Sequence, residues 1–156
     1  LASSANPVIF NGCINRGDLT TKVGRASGIV AAANRYTHLT DCTNYGLNDN
    51  AFPRSGYARL GNITCITGPG IKFTNVVNRG DLISRTKGAA GGILCLVNHN
   101  DNEFIGCESY GRVISDRPDN DCATAAAMNS STDSIPPCRD PNSSKYGAKD
   151  CSPTFS

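Results

Sequence analysis

The chain has 156 residues, fifteen basic and thirteen acidic side chains and a formal net charge of +2, which is room for one domain with a real core and too little field to name a nucleic acid or an anionic membrane as partner. Its longest apolar stretches, such as residues 28–33, are far too short to span a bilayer. No charged-then-apolar leader opens the sequence at Leu1, so a secreted form is expected to have lost its signal.

In chain order, short apolar or β-branched blocks alternate with turns bounded by Gly and Asn, and the blocks repeat. Asn11-Gly12-Cys13-Ile14-Asn15-Arg16-Gly17-Asp18-Leu19 aligns with Thr40-Asp41-Cys42-Thr43-Asn44-Tyr45-Gly46-Leu47. Asn75-Val76-Val77-Asn78-Arg79-Gly80-Asp81-Leu82 and Gly106-Cys107-Glu108-Ser109-Tyr110-Gly111-Arg112-Val113 follow, so the anchors at 13, 42, 76 and 107 step by 29, 34 and 31 residues. Between them lies a second shared block, Gly28-Ile29-Val30-Ala31, Asn62-Ile63-Thr64-Cys65 and Gly92-Ile93-Leu94-Cys95, in phase with the first. Apart from residues 122–128, no segment carries a 3.6-residue period, so the blocks read as strands.

A short strand cannot bury an apolar face alone, but stacked copies can, at about 4.8 Å per layer. The expected fold is therefore all-β, a parallel β-helix-like solenoid with roughly thirty-residue repeats over residues 1–115. Residues 116–156 follow as a Cys- and Pro-rich irregular tail or cap, pinned by disulfides. Leu19, Ile29, Val30, Leu47, Ile63, Leu82, Ile93, Leu94 and Val113 are expected to point into one continuous core, and Cys13, Cys42, Val76 and Cys107 to share an inward slot. Asn15, Asn44 and Asn78 should stack at a corner and satisfy turn backbone. Gly17, Gly46, Gly80 and Gly111 read as a turn position needing positive φ.

The strand Gly91-Gly92-Ile93-Leu94, followed thirteen residues after Leu94 by the Cys107 to Val113 block, resembles the GLUG-type repeats of bacterial and protist surface proteins. The resemblance runs from residue 9 to about 115. It implies a parallel β-helix-like fold and an adhesin-like surface role, and it implies no catalytic residues. The middle repeat departs from the pattern, with Asn62 in place of the glycine and a longer linker containing Pro53 at 48–57.

Eight cysteines without a CxxC lack the paired spacing of a zinc site and favour disulfides in an oxidising compartment. Cys65 and Cys95 hold equivalent positions in consecutive repeats and are expected to be joined; the same logic offers Cys13 with Cys42, where inward stacked thiols can also stay free. Cys107 is assigned to one of Cys122, Cys138 and Cys151, with the remaining two bonded to each other, which would pin the tail over the last coil. Three sequons, at Asn62, Asn129 and Asn142, mark glycosylation candidates.

Arg-Gly-Asp occurs at 16–18 and 79–81, in one phase of the repeat, where the other copies read Tyr-Gly; a turn explains it without an integrin. Asp18 and Asp81 share a phase two repeats apart, about 9.6 Å, the outer limit for an inverting carboxylate pair. No Trp offers a sugar platform, and His38 and His99 do not share a phase. The oxygen-rich runs 98–103 and 116–121 lack the ordered spacing of a calcium loop. The threonines at 40, 43, 64, 67 and 74 share no phase, so no ice-binding face forms.

The expectation is a non-enzymatic, extracellular or cell-surface structural or adhesive protein, one piece of a fibre in the same reading. It would need no cofactor or metal. Its partners would be other copies of itself or neighbouring surface proteins, with glycans next in line, but no nucleic acid and no membrane span. The alternative is a carbohydrate-binding or carbohydrate-active module, lyase- or hydrolase-like, on the same scaffold.

Overall fold

A computed structural model describes residues 3–22, 24–50, 58–84, 90–96, 102–115 and 121–122. These residues are all-β, without a helix, and every strand pairing is parallel. Coil 1 comprises β1 (Val8–Asn11), β2 (Ile14–Asn15), β3 (Leu19–Thr20), β4 (Gly24–Ala26) and β5 (Val30–Ala33). Coil 2 comprises β6 (Thr37–Thr40), β7 (Thr43–Asn44), β8 (Asn48–Asp49), β9 (Ala58–Gly61) and β10 (Thr64–Thr67). Coil 3 follows as β11 (Lys72–Thr74), β12 (Val77–Asn78), β13 (Leu82–Ser84), β14 (Ala90–Gly91) and β15 (Leu94–Leu96). Coil 4 holds β16 (Glu103–Ile105), β17 (Glu108–Ser109), β18 (Val113–Ser115) and β19 (Asp121–Cys122).

Each strand pairs with its equivalent in the next coil, giving five sheets, the first ordered β1-β6-β11-β16 and the fifth β5-β10-β15. In the first sheet Ile9 lies opposite His38, His38 opposite Lys72 and Lys72 opposite Glu103, offsets of 29, 34 and 31 residues. The strands are two to four residues long because each is one side of a coil, and a corner must intervene before the next side.

One corner uses left-handed backbone. Gly12, Asp41, Asn75 and Gly106 stand in equivalent places with φ of 65°, 52°, 52° and 61°. Gly and the short Asx side chains are the residues that tolerate this region. The Asn75 amide donates to Asp41 Oδ1 at 3.1 Å, tying two of these corners together.

The next residue in each coil turns inward, which places Cys13, Cys42, Val76 and Cys107 in one apolar column, with Cys42 and Val76 fully buried. Beside it runs the column Phe10, Leu39, Phe73 and Phe104. Phe73 and Phe104 lie flat on each other, centroids 4.7 Å apart.

Among the described residues the buried apolar side chains gather in clusters along the stack. Leu39, Ile63, Ile71, Phe73, Ile93 and Leu94 belong to one, and Leu60, Leu82 and Ala90, with Val113 against them, to another. Buried asparagines, Asn44, Asn62 and Asn78, make a polar waist in the interior. The asparagine corner of one wall reaches the opposite wall: a Cβ on Gly28 would collide with the Asn44 side chain, and Asn62 Nδ2 donates to the Gly80 carbonyl at 2.7 Å. Asn62 therefore fits the regular fold, closing across the interior where the other copies carry glycine.

Of the nine expected core residues, Ile63, Leu82, Ile93 and Leu94 are fully buried. Leu19, Ile29, Val30 and Val113 are half-buried; the first three line the end of the stack. Leu47 is displaced: the register sets Asn48, not Leu47, opposite Leu19 and Leu82. Coil 2 thus carries a buried amide in a leucine column, with Nδ2 on the Ala26 carbonyl at 3.4 Å and, among the described residues, no hydrogen-bond partner on Oδ1.

Candidate functional site

The turn between the second and third sheets is where side chains are most elaborately used. Asn15 Nδ2 donates to the Gly17 carbonyl, two residues on in its own coil, at 2.9 Å, and to Asn44 Oδ1 of the next coil at 2.7 Å. Asn44 repeats this with Gly46 and Asn78, and Asn78 with Gly80 and the Ser109 hydroxyl. Both amide hydrogens are thus spent, one closing the turn and one binding the next coil. A buried amide is tolerable only when so satisfied. The asparagine ladder read from the repeat is present.

The glycines that follow serve another purpose than expected. None of Gly17, Gly46, Gly80 and Gly111 has positive φ. Their requirement is steric. A Cβ at Gly46 would overlap the Gly17 carbonyl, one at Gly80 the Gly46 carbonyl and one at Gly111 the Gly80 carbonyl. Gly17 differs: its Cβ would meet only Asn15 Oδ1, at an ordinary 3.7 Å.

The flanking residues alternate from coil to coil. Arg16 stacks over the Tyr45 ring at 4.6 Å and Arg79 over Tyr110 at 4.9 Å. Asp18 Oδ1 accepts the Leu47 backbone N–H at 2.8 Å, and Asp81 Oδ1 accepts that of Arg112 at 2.8 Å while Oδ2 takes its guanidinium Nε at 3.0 Å. The Arg112 guanidinium and backbone hold the Asp81 carboxyl below its ordinary range. Each Arg-Gly-Asp therefore binds the coil that follows, its arginine stacked and its aspartate capping backbone, and in the second copy Gly80 also makes room for the Gly46 carbonyl of the coil before. Asp18 and Asp81 are separately engaged, one with the Leu47 backbone and the other with Arg112. The Tyr110 hydroxyl donates to Glu108. The partners Tyr45 and Tyr110 were missed as functional in the sequence, although their phase, opposite the arginines, was visible there.

Coil 1 presents an edge. The Cys13 and Asn15 carbonyls accept the Thr43 and Tyr45 N–H groups. Ile14, between them, turns its backbone groups the other way, and among the described residues no strand pairs with the outer side of β1, β2, β3, β4 or β5. Ile9 and Ile14 are 62% and 57% exposed, and Phe10 and Cys13 are half-exposed at the end of their columns.

The remaining candidates separate cleanly. Asn62 is 0% exposed and its amide nitrogen donates to the Gly80 carbonyl, so the folded chain buries that sequon asparagine. Asn129 and Asn142 lie outside the described residues, as do Cys138, Cys151, the Cys122 side chain and His99. Cys65 and Cys95 are both buried, on β10 and β15, whose register sets them opposite each other. Cys107 is buried, and burial pushes its thiol pKa up; Sγ donates to the Phe73 carbonyl at 3.4 Å. Among the described residues no group of three or more His, Cys, Asp or Glu side chains is placed to hold a metal ion, and no helix is long and apolar enough to cross a membrane. No protein-family model, no curated protein and no solved structure matches the chain.

Proposed function

We propose that the chain is an extracellular structural or adhesive surface protein, built from β-solenoid repeats of roughly thirty residues, whose first coil receives the last coil of another copy to make a fibre. The observation that carries this is Gly17. Three of the four ladder glycines are required by a carbonyl in the preceding coil, whereas nothing in the described residues requires the fourth. A coil lying beyond the open edge of coil 1 would require it.

The last coil has the right residues to be that neighbour. Where coil 2 meets coil 3, the pairs are Asn44 with Asn78, Tyr45 with Arg79 and Gly46 with Gly80. Coil 4 offers Ser109, Tyr110 and Gly111 to the Asn15, Arg16 and Gly17 of a second copy, so the junction between chains repeats one inside the chain. The Cys- and Pro-rich segment 116–156 is, in this proposal, a disulfide-held extension bearing glycans at Asn129 and Asn142. The glycan-processing alternative finds no support in the turn face, whose carboxylates are engaged with Leu47, Arg112 and Tyr110.

Sedimentation velocity over a concentration series tests the proposal. The wild-type chain is expected to associate end to end, and Gly17→Ala to stay monomeric with an unchanged unfolding midpoint. A wild-type chain that stays monomeric throughout, or a Gly17→Ala chain that associates equally, would overturn it.

A further inference from the structure

We propose that Cys13 and Cys42 form a redox-responsive pair, oxidised to an intrachain disulfide by low-molecular-weight disulfides, which clamps the open first coil onto the second. The two residues occupy adjacent levels of one inward column, and the register that pairs Ile14 with Thr43 sets Cys13 opposite Cys42. The Thr43 N–H bonds the Cys13 carbonyl at 2.9 Å, holding the two backbones at strand spacing. That spacing, about 4.8 Å, lies within the Cα separation a disulfide spans. Above Cys42 the column continues with Val76, so Cys42 has one sulfur neighbour in its column and the pairing is unambiguous.

In the free chain, before coil 1 receives another copy, access is one-sided. Cys13 is half-exposed at the end of the stack, whereas Cys42 is fully buried, its Sγ donating to the Thr40 carbonyl at 3.3 Å and reaching the Phe10 carbonyl at 3.5 Å. The order of events follows. The Cys13 thiolate attacks one sulfur of the small disulfide, forming a mixed disulfide and releasing one thiolate. Cys42 then attacks the Cys13 sulfur, the protein S–S bond forms, the mixed S–S bond breaks, and the second small thiol leaves. Two electrons pass from the protein sulfurs to the small disulfide, and the two protein thiol protons end on the two departing thiols. Burial, with the neighbouring Cys13 sulfur adding to it, pushes the Cys42 thiol pKa up, so the second step is the slower and quickens with pH. Among the described residues coil 1 has a neighbouring coil on one side only, and a link closing the loop from 13 to 42 slows its local opening on the order of 100-fold.

The test uses the full chain, mixed from unlabelled and nitrogen-15-labelled preparations and equilibrated with oxidised glutathione. Alkylation of the remaining thiols, digestion without reduction and mass spectrometry complete it. The expected result is a peptide pair joining Cys13 to Cys42 within one isotopic species, together with hydrogen exchange in β1 and β2 slowed about 100-fold on oxidation. Recovery of both residues as alkylated thiols, or a link joining labelled to unlabelled chains, would overturn the proposal. The variant Cys42→Ser removes the second step, and Cys13 should then accumulate as the glutathione adduct; an unmodified Cys13 in that variant counts against it too.

Discussion

Replacing Gly80 with alanine isolates the contact that sets the distance between coils. The added methyl would overlap the Gly46 carbonyl oxygen, approach its carbon at 2.8 Å and stand 2.7 Å from Asn44 Nδ2. Neither neighbour is a free chain end: the Gly46 carbonyl accepts from Asn44, and Asn44 is bonded to Asn15 and Asn78. Relief requires prying coil 3 from coil 2 at the waist. Overpacking against such fixed atoms costs about 3 kcal/mol, and restricting the unfolded chain returns about 0.5 kcal/mol, so a net loss of about 2–3 kcal/mol is expected. In urea this lowers the midpoint by about 1–2 M, with little change in slope. Gly17→Ala is the matched control, since it has the same turn and the same absence of positive φ but no opposing carbonyl; its midpoint should hold or rise slightly. Equal losses in the two variants would show that these glycines are needed for backbone freedom and not for close approach.

Asn48→Leu should stabilise the chain by about 1 kcal/mol, because it restores an apolar side chain between Leu19 and Leu82 and removes an unpaired Oδ1; a lower urea midpoint would mean that the weak bond to Ala26 matters more. Asp81 has a folded pKa below its unfolded value, so its contribution is full above about pH 4 and is lost as pH falls through the folded value; Asp81→Asn should flatten the pH dependence of the unfolding midpoint over that interval, and an unaltered profile would remove the Arg112 pairing from the account. Expressed through a secretory pathway, the folded protein should carry no glycan at Asn62 in glycopeptide mapping, and occupancy there would contradict the buried amide bridge to Gly80. Peptide mapping without reduction should recover Cys65 joined to Cys95, as their opposed register favours, and finding both as thiols would remove that pair from the proposal.

The parallel stack and its asparagine ladder were legible because their residues are chemically distinctive and repeat in phase: Asn15, Asn44 and Asn78 do one job three times. Core membership was less so. In coil 2 a leucine sits one place before the inward position, and pattern matching takes Leu47 over Asn48; only the register shows that the amide, not the leucine, faces in. The left-handed corner escaped notice because Gly12, Asp41, Asn75 and Gly106 share a backbone conformation and not an identity. For the same reason positive φ was assigned to the wrong glycines, whose uniformity comes from carbonyls in neighbouring coils. The brackets made by Arg16 with Tyr45 and Arg79 with Tyr110 need two coils at once, although their alternation was written in the sequence.

Fibre diffraction from concentrated, aligned protein tests the central claim most directly, that coils stack along one axis within the chain and on into the next. Strand spacing along the axis gives a meridional reflection at about 4.8 Å, and the four coils of the described residues, stacked copy on copy, give a longer axial repeat of about 19 Å. Both reflections on the meridian are the expected result. A 4.8 Å reflection perpendicular to the long axis, or an axial pattern without the 19 Å repeat, would contradict head-to-tail stacking of the first coil on the last.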